Sequence, residues 1–281
     1  MRRNLLAIAG FLLVSLPWVA AFAQQVRCPD GQMADGLQRA GNSRHCVVIR
    51  TLTPADTSGR LASQVLVVFL HGDNGGQTEL KTDSGTAALL SEKLQAVTVA
   101  MQRPGYRSNL GTSDGQSSAA DDDYVLQNLE IIASALNNLR SLHRDKKILL
   151  VGHSGGAALA ALLASRFPGS ADAYLLAGCP CDVPAWRQWR NSSAGKTGVW
   201  TRSLSPLAEA PKISPDTQIG VVVGNKDENT LPQFSEAYAR ALQARGVKTR
   251  VTYAMNATHV SVQRAPEFFM LAGELAGKLS K

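Results

Sequence analysis

Residues Lys146 to Gly156 read KKILLVGHSGG, and Ala157, Ala158 and Leu159 continue the chain in a helical pattern. An apolar run of β type thus passes into a helix through Gly152, His153, Ser154, Gly155 and Gly156. This is the Gly-x-Ser-x-Gly nucleophile-elbow pattern in the strand-to-helix setting that gives the motif its meaning. A serine at such a turn sits on a strained backbone, and the flanking glycines let strand and helix pass closely on either side. The helix starts at the serine. Its unpaired N–H groups and positive dipole end therefore face the place where negative charge would develop.

Around this turn, short apolar runs alternate with amphipathic stretches, with no internal repeat and no low-complexity linker. That alternation predicts an α/β fold. The expected strands are Cys46 to Leu52, Val65 to Leu70, Ala96 to Met101, Ile148 to Val151, Ala173 to Gly178, Ile219 to Val223 and Val247 to Ala254. Most are continuously apolar rather than alternating, as in a parallel sheet covered on both faces. Helices are expected near Gly85 to Leu94, Asp122 to Leu142, Gly155 to Phe167, Pro232 to Arg245 and Pro266 to Leu279. Asp121, Asp122 and Asp123 suit the N-terminal dipole of the second helix, and Gly246 suits the end of the fourth.

The 281 residues are 44% hydrophobic and 18% charged, which excludes a disordered chain and suffices for a large core. Residues 1–23 differ in kind. Arg2 and Arg3, an apolar stretch from Leu5 to Val19, and Ala21, Phe22, Ala23 fit the three parts of a secretory signal cleaved after Ala23. The stretch is short for a membrane span and no basic stop-transfer run follows it, so no stable membrane anchor is expected after cleavage. The remaining residues, 24–281, are read as one catalytic domain, secreted or periplasmic.

Without Arg2 and Arg3 the chain keeps 27 basic and 22 acidic side chains, a net of +5. The basic residues are scattered and not interleaved with aromatics, so no nucleic-acid partner is expected. In an oxidising compartment the four cysteines are candidates for two disulfides. Cys28 with Cys46 is the first choice, pinning the N-terminal segment to the strand that begins at Cys46. Cys179 and Cys181, separated by Pro180, either close a small ring or stay free, and offer no ligand spacing for a metal.

A serine hydroxyl is a poor nucleophile until a base takes its proton. His259 is the expected base, just past the last strand in Asn256, Ala257, Thr258, His259. His153 is expected to point away from its neighbour's reaction direction, while His71, His143 and His45 sit at a strand end, a helix end and beside Cys46. Orienting the imidazole requires a carboxylate. Asp227 follows the Ile219 strand and completes the order Ser154, Asp227, His259, with Glu228 beside it and Asp182 after the preceding strand as alternatives. An oxyanion hole needs N–H donors near the developing charge. The loop His71, Gly72, Asp73, Asn74, Gly75, Gly76 and the turn after Ser154 suggest the backbone N–H groups of Asp73 and Gly155. The Asp73 carboxylate would repel an oxyanion and is expected to brace its loop.

Taken together, the chain resembles a secreted member of the α/β-hydrolase superfamily of serine esterase and peptidase type, over about Cys46 to Leu279. The resemblance is carried by His71-Gly72, Gly152 to Gly156, Asp227 and His259. It implies a mostly parallel central sheet with helices on both faces and no metal or other cofactor. Arg103, Pro104, Gly105, Tyr106, Arg107 and Ser108 also resemble the RPGYGxS stretch of prolyl-iminopeptidase-like enzymes, with Arg107 in place of Gly. Those peptidases carry a large helical cap where this chain has only Pro180 to Gln218, which weighs against an exopeptidase pocket. Trp186, Arg187, Trp189, Arg190 and Trp200 in that short excursion suit either a small lid or pocket rim, or a short helix burying two indoles.

The expected activity is hydrolysis of carboxylic esters through an acyl-enzyme, on a small-molecule or peptide-like acyl substrate. A peptidase or amidase with the same machinery is the alternative, and a non-catalytic binding protein on the same fold ranks last.

Overall fold

The computed structural model describes residues 26–55, 58, 64–78, 80, 85–118, 121–194 and 200–281. The expected signal segment, residues 1–23, lies outside the described residues. In chain order the strands are β1 (Arg39–Gly41), β2 (Cys46–Leu52), β3 (Val65–Leu70), β4 (Val97–Met101), β5 (Arg107–Ser108), β6 (Gly111–Thr112), β7 (Lys147–His153), β8 (Ala173–Ala177), β9 (Gln218–Gly224) and β10 (Lys248–Ala254). The helices are α1 (Thr86–Leu94), α2 (Leu126–Leu142), α3 (Gly155–Arg166), α4 (Val183–Ala194), α5 (Pro206–Glu209), α6 (Pro232–Ala244) and α7 (Pro266–Leu279). Among the described residues no helix is long and apolar enough to cross a membrane.

Eight strands form one sheet in the order β1-β2-β4-β3-β7-β8-β9-β10, and β5 pairs with β6 in a separate hairpin. From β4 through β3, β7, β8 and β9 to β10 every pairing is parallel, while β2 runs antiparallel to both β1 and β4. Continuously apolar strands are required because both faces are covered. Leu66, Val68, Leu70, Ile148 and Leu150 pack with α2 and α3 residues on one side. The alternate positions Val65, Val67, Phe69, Leu149 and Val151 pack with Leu90 and Leu94 of α1 and Phe268 and Leu271 of α7 on the other. Each such buried Val, Leu or Phe contributes about 1.5–3 kcal/mol, so the run that looked featureless in sequence feeds two cores.

All seven expected strands are present, and β1 adds an edge strand ahead of them. Both disulfides form: Cys28–Cys46, with Cα atoms 5.6 Å apart, and Cys179–Cys181, at 5.1 Å. The Asp run corrects the sequence reading. The second helix begins at Leu126 and has no acidic residue in its first turn. Each Asp instead fastens a distant segment. Asp121 accepts from the Gly75 N–H and Tyr106 O–H, Asp122 from the N–H groups of Thr201, Arg202 and Ser203, and Asp123 from Arg103. Several charge-assisted bonds outweigh the interaction with one helix dipole, worth about 0.3–1 kcal/mol.

Candidate active site

Because β3, β7, β8, β9 and β10 are parallel, the segments leaving their C-terminal ends gather at one edge of the sheet. These segments carry the Gly72 loop, Ser154, Asp227 and His259. Ser154 has φ 54° and ψ −122°, a left-handed conformation that costs about 1–3 kcal/mol and is held by its surroundings. Its N–H donates to the Ala177 carbonyl at 2.9 Å, and its own carbonyl receives the N–H groups of Ala157 and Ala158. Glycine is required on both sides. A Cβ on Gly152 would collide with the Gly156 carbonyl, and one on Gly156 with the carbonyls of Leu70 and His71.

His259 Nε2 lies 2.9 Å from Ser154 Oγ, and its Nδ1 lies 2.9 Å from Asp227 Oδ2. The sequence-predicted base and acid are therefore brought together with the serine. Glu228 is exposed, and Asp182 accepts from the Ala185 N–H at the start of α4. The acid and histidine loops are stitched together. The Lys226 N–H donates to the Ala257 carbonyl, and the Asn256 N–H to Asn225 Oδ1. Burial alone would raise the Asp227 pKa. Its bonds to His259 and Thr230 and the His259 charge outweigh that, holding the carboxyl below its ordinary range.

Two contributors, Thr230 and His153, escaped the sequence reading, and a third, His71, was singled out there without its role. Thr230 Oγ1 lies 2.8 Å from Asp227 Oδ2, 3.0 Å from His259 Nδ1 and 3.0 Å from the Gly178 carbonyl. With the Asn229 and Thr230 N–H groups donating to Asp227 Oδ1, the stretch Asp227, Glu228, Asn229, Thr230 forms an Asx turn. That turn was the available signal. His153 does not point away from the chemistry: it lines the same cavity, its ring centroid is 5.0 Å from that of His259, and its Nε2 donates to the His259 carbonyl at 2.8 Å. His71 Nδ1 donates to the Gly72 carbonyl and its Nε2 accepts the Arg103 N–H, so it ties the two loops as a neutral ring.

The Gly72 loop lies against the serine, since a Cβ on Gly72 would stand 3.0 Å from Ser154 Cβ. The N–H groups of Asp73 and Gly155 donate to no acceptor among the described residues. Asp73 braces its loop as expected. Its Oδ1 accepts from Arg103 at 2.6 Å and its Oδ2 from the Tyr124 hydroxyl at 2.7 Å. Arg103 is buried, bonds Asp123 at 2.6 Å, and lies 4.7 Å from the Tyr106 ring centroid. Tyr106 in turn bonds Asp121 and receives the Asn74 N–H. The RPGY stretch is thus the foundation of the loop that presents Asp73.

Ser154, His259, His153, His71 and Asp73 line a cavity of about 630 Å³ together with Trp186, Arg187, Arg190, Trp200 and Asn229. Both sequence readings of the excursion hold in part. The α4 helix buries the Trp186 indole, and Trp186 and Trp200 both form cavity wall.

Burial lowers the pKa of His153 from 6.5 to about 4, with the nearby His259 charge adding to the effect. Between those values the unfolded chain takes up a proton that the folded chain refuses, so this residue's contribution to stability is lost as pH falls from 6.5 toward 4. Burial pushes Asp123 up to about 7 despite Arg103, and that shift acts in the opposite direction across the whole of that range. The comparison between variants separates the two. A His153→Gln variant is expected to lose about 3 kcal/mol less than the parent between pH 7 and pH 4, read from urea midpoints. Equal losses would show that His153 carries no such shift.

The alpha/beta hydrolase family model matches residues 67–193. No curated protein sequence matches the chain. Among solved structures, an acylaminoacyl peptidase of Pyrococcus horikoshii superposes with a TM-score of 0.60 at 14% identity, over 84% of this chain and 39% of that one. The chain therefore spans well under half the length of that peptidase. A proline iminopeptidase of Mycobacterium smegmatis gives 0.64 at 13% identity, over 86% and 98% of the two chains. An esterase of Pyrococcus furiosus gives 0.64 at 13%, over 87% and 90%. At such identities the likeness speaks for architecture alone. With the eight-stranded, doubly covered sheet, it gives the chain the α/β-hydrolase fold, residues 67–193 carrying the match to the alpha/beta hydrolase family.

Proposed function

We propose that the protein is an exported serine hydrolase of carboxylic esters, with Ser154 as nucleophile, His259 as general base and acid, and Asp227 as the orienting carboxylate. The observation that carries this is the unbroken line from Asp227 Oδ2 through His259 to Ser154 Oγ, with both contacts at 2.9 Å, on the wall of an open cavity. In this scheme Ser154 Oγ attacks the ester carbonyl as its proton passes to His259 Nε2. The oxyanion is received by the N–H groups of Asp73 and Gly155 at the positive end of α3. His259 then protonates the departing alcohol, and water repeats the sequence on the acyl-enzyme. Side chains and backbone fill every role, so no cofactor enters.

Amide hydrolysis uses the same groups, and two of the structural neighbours are named as peptidases. The thin excursion carrying α4 favours esters over a peptide pocket. The deciding experiment is labelling of the purified protein, without its signal segment, by a fluorophosphonate, read by intact mass. One equivalent bound to the parent and none to Ser154→Ala or His259→Ala is expected, and a folded but unlabelled parent would overturn the proposal.

Thr230 tests the finer geometry. Thr230→Val removes the hydroxyl shared by Asp227 and His259 and is expected to lower kcat about 10-fold, moving the pH profile, while Thr230→Ser retains most of the rate. A parental rate in Thr230→Val with a loss confined to Thr230→Ser would assign Thr230 to packing alone.

A further inference from the structure

One wall of the cavity is basic and aromatic. Arg187 and Arg190 lie three residues apart on α4 and line the same space as Ser154 and His259. Both are held on a scaffold. The Arg187 guanidinium stacks 4.6 Å over the Trp200 ring, which itself packs edge-on against Trp186 and Tyr124. Arg190 donates to Asn229 Oδ1 at 2.8 Å, Trp186 Nε1 donates to the Asn229 carbonyl, and the Asn229 N–H donates to Asp227 Oδ1. The basic wall is thereby tied to the acid loop of the triad, at a fixed place relative to the serine.

Donor capacity is left over on this wall. Arg190 Nε and Trp200 Nε1 are buried and meet no acceptor among the described residues. A buried N–H without an acceptor is costly, and the two neighbouring guanidinium groups repel each other, a strain that an anion held beside both would relieve. Burial and the Arg190 charge depress the Arg187 pKa by more than Tyr124, Asp122 and Asp73 raise it, in keeping with that crowding. The carboxylates that line the cavity are already engaged: Asp73 accepts from Arg103 and Tyr124, and Asp121 from Tyr106 and the Gly75 N–H. They are poorly placed to supply a second, cationic subsite.

We propose that the cavity selects esters bearing a free carboxylate in the acyl part, with Arg187 and Arg190 receiving the anion and the Trp186 and Trp200 rings covering the carbon chain. This deepens the ester-hydrolase reading and rests on it. Hydrolysis consumes one water, breaks the acyl–oxygen bond and gives an alcohol and a dicarboxylate. A planar guanidinium that is already stacked on an indole loses little freedom when it grips a carboxylate, which is why such a wall recognises anions efficiently.

The test compares 4-nitrophenyl hydrogen adipate with 4-nitrophenyl heptanoate, which match in length and differ in the terminal charge. The parent is expected to show a kcat/KM ratio of about 10 or more in favour of the adipate ester, falling about 10-fold in Arg187→Met and recovering in part in Arg187→Lys. Preference for heptanoate, or a ratio unmoved in Arg187→Met that still labels with fluorophosphonate, overturns the proposal. So does preference for a cationic counterpart, the 4-nitrophenyl ester of 4-(trimethylammonio)butanoate. Because Arg190 also bonds Asn229, Arg187 carries the kinetic test, with thermal melting confirming its fold. Should the parent fail to label at all, the serine-hydrolase reading fails separately. Calorimetric binding of adipate to Ser154→Ala, weakened in Ser154→Ala/Arg187→Met, still supports the anion site, and absence of binding overturns it.

Discussion

Replacing Ser154 by alanine is expected to lower kcat/KM for an activated ester by about 10⁴ to 10⁶-fold, with His259→Ala nearly as damaging and Asp227→Asn less so. Serine, imidazole and carboxylate form one chain of contacts, 2.9 Å at each link, so removing any one disables the other two. The losses should not add. A Ser154→Ala/His259→Ala variant is expected to sit close to Ser154→Ala, the residual rate coming from the oxyanion site and from binding. Stability should move little, because alanine inherits the same left-handed backbone as Ser154 and leaves the flanking glycines untouched. The measurement is initial rate on a 4-nitrophenyl ester, with melting temperature as the control. A variant retaining more than about 1% of parental activity while well folded would remove Ser154 from the mechanism.

Arg103→Met is expected to destabilise the protein by about 3–5 kcal/mol, a third or more of the stability of an ordinary domain. The guanidinium is 1% exposed and holds two carboxylates, Asp73 and Asp123, at 2.6 Å each. Methionine restores the volume and leaves the buried Asp123 and the half-buried Asp73 without their cation. A buried charge stripped of its partner costs more than the pair contributed, so the double variant Arg103→Met/Asp123→Asn should recover part of the loss. Urea titration of the three proteins checks both statements. An Arg103→Met loss under about 1 kcal/mol would mean that water already compensates these carboxylates. A second readout follows from geometry: Asp73 sits on the loop against Ser154, so Arg103→Met is also expected to slow fluorophosphonate labelling in the fraction that remains folded.

Much of the fold was legible because its signals are local. β2 and β3 begin and end at the residues where their apolar runs do, and α7 spans the expected Pro266–Leu279. The elbow was legible for the same reason, since glycine at 152 and 156 answers a clash that any chain making this turn would meet. Asp227 and His259 could be placed from the sequence because parallel strands deliver their following loops to one edge, so chain order stands in for position. Where the sequence failed, the interaction was non-local. Asp121, Asp122 and Asp123 read as a helix cap, yet their partners lie at Gly75, at Thr201 to Ser203 and at Arg103. His153 was set aside because its bond is to the backbone of residue 259, and Thr230 passed unnoticed because one hydroxyl meets three groups only after folding.

The sequence by itself therefore determined seven strands of the main sheet, five of the helices, the turn that presents Ser154 and the chain order of the candidate triad, all of which rest on periodicity, glycine sterics and neighbouring residues. Only the tertiary structure decided which carboxylates are spent on bracing the Gly72 loop and which histidines are neutral ties. It also decided that Trp186, Arg187, Arg190 and Trp200 share a wall with the serine. Each of those outcomes is a competition among partners tens of residues apart, settled by which donor and acceptor the packed sheet brings within 3 Å of one another.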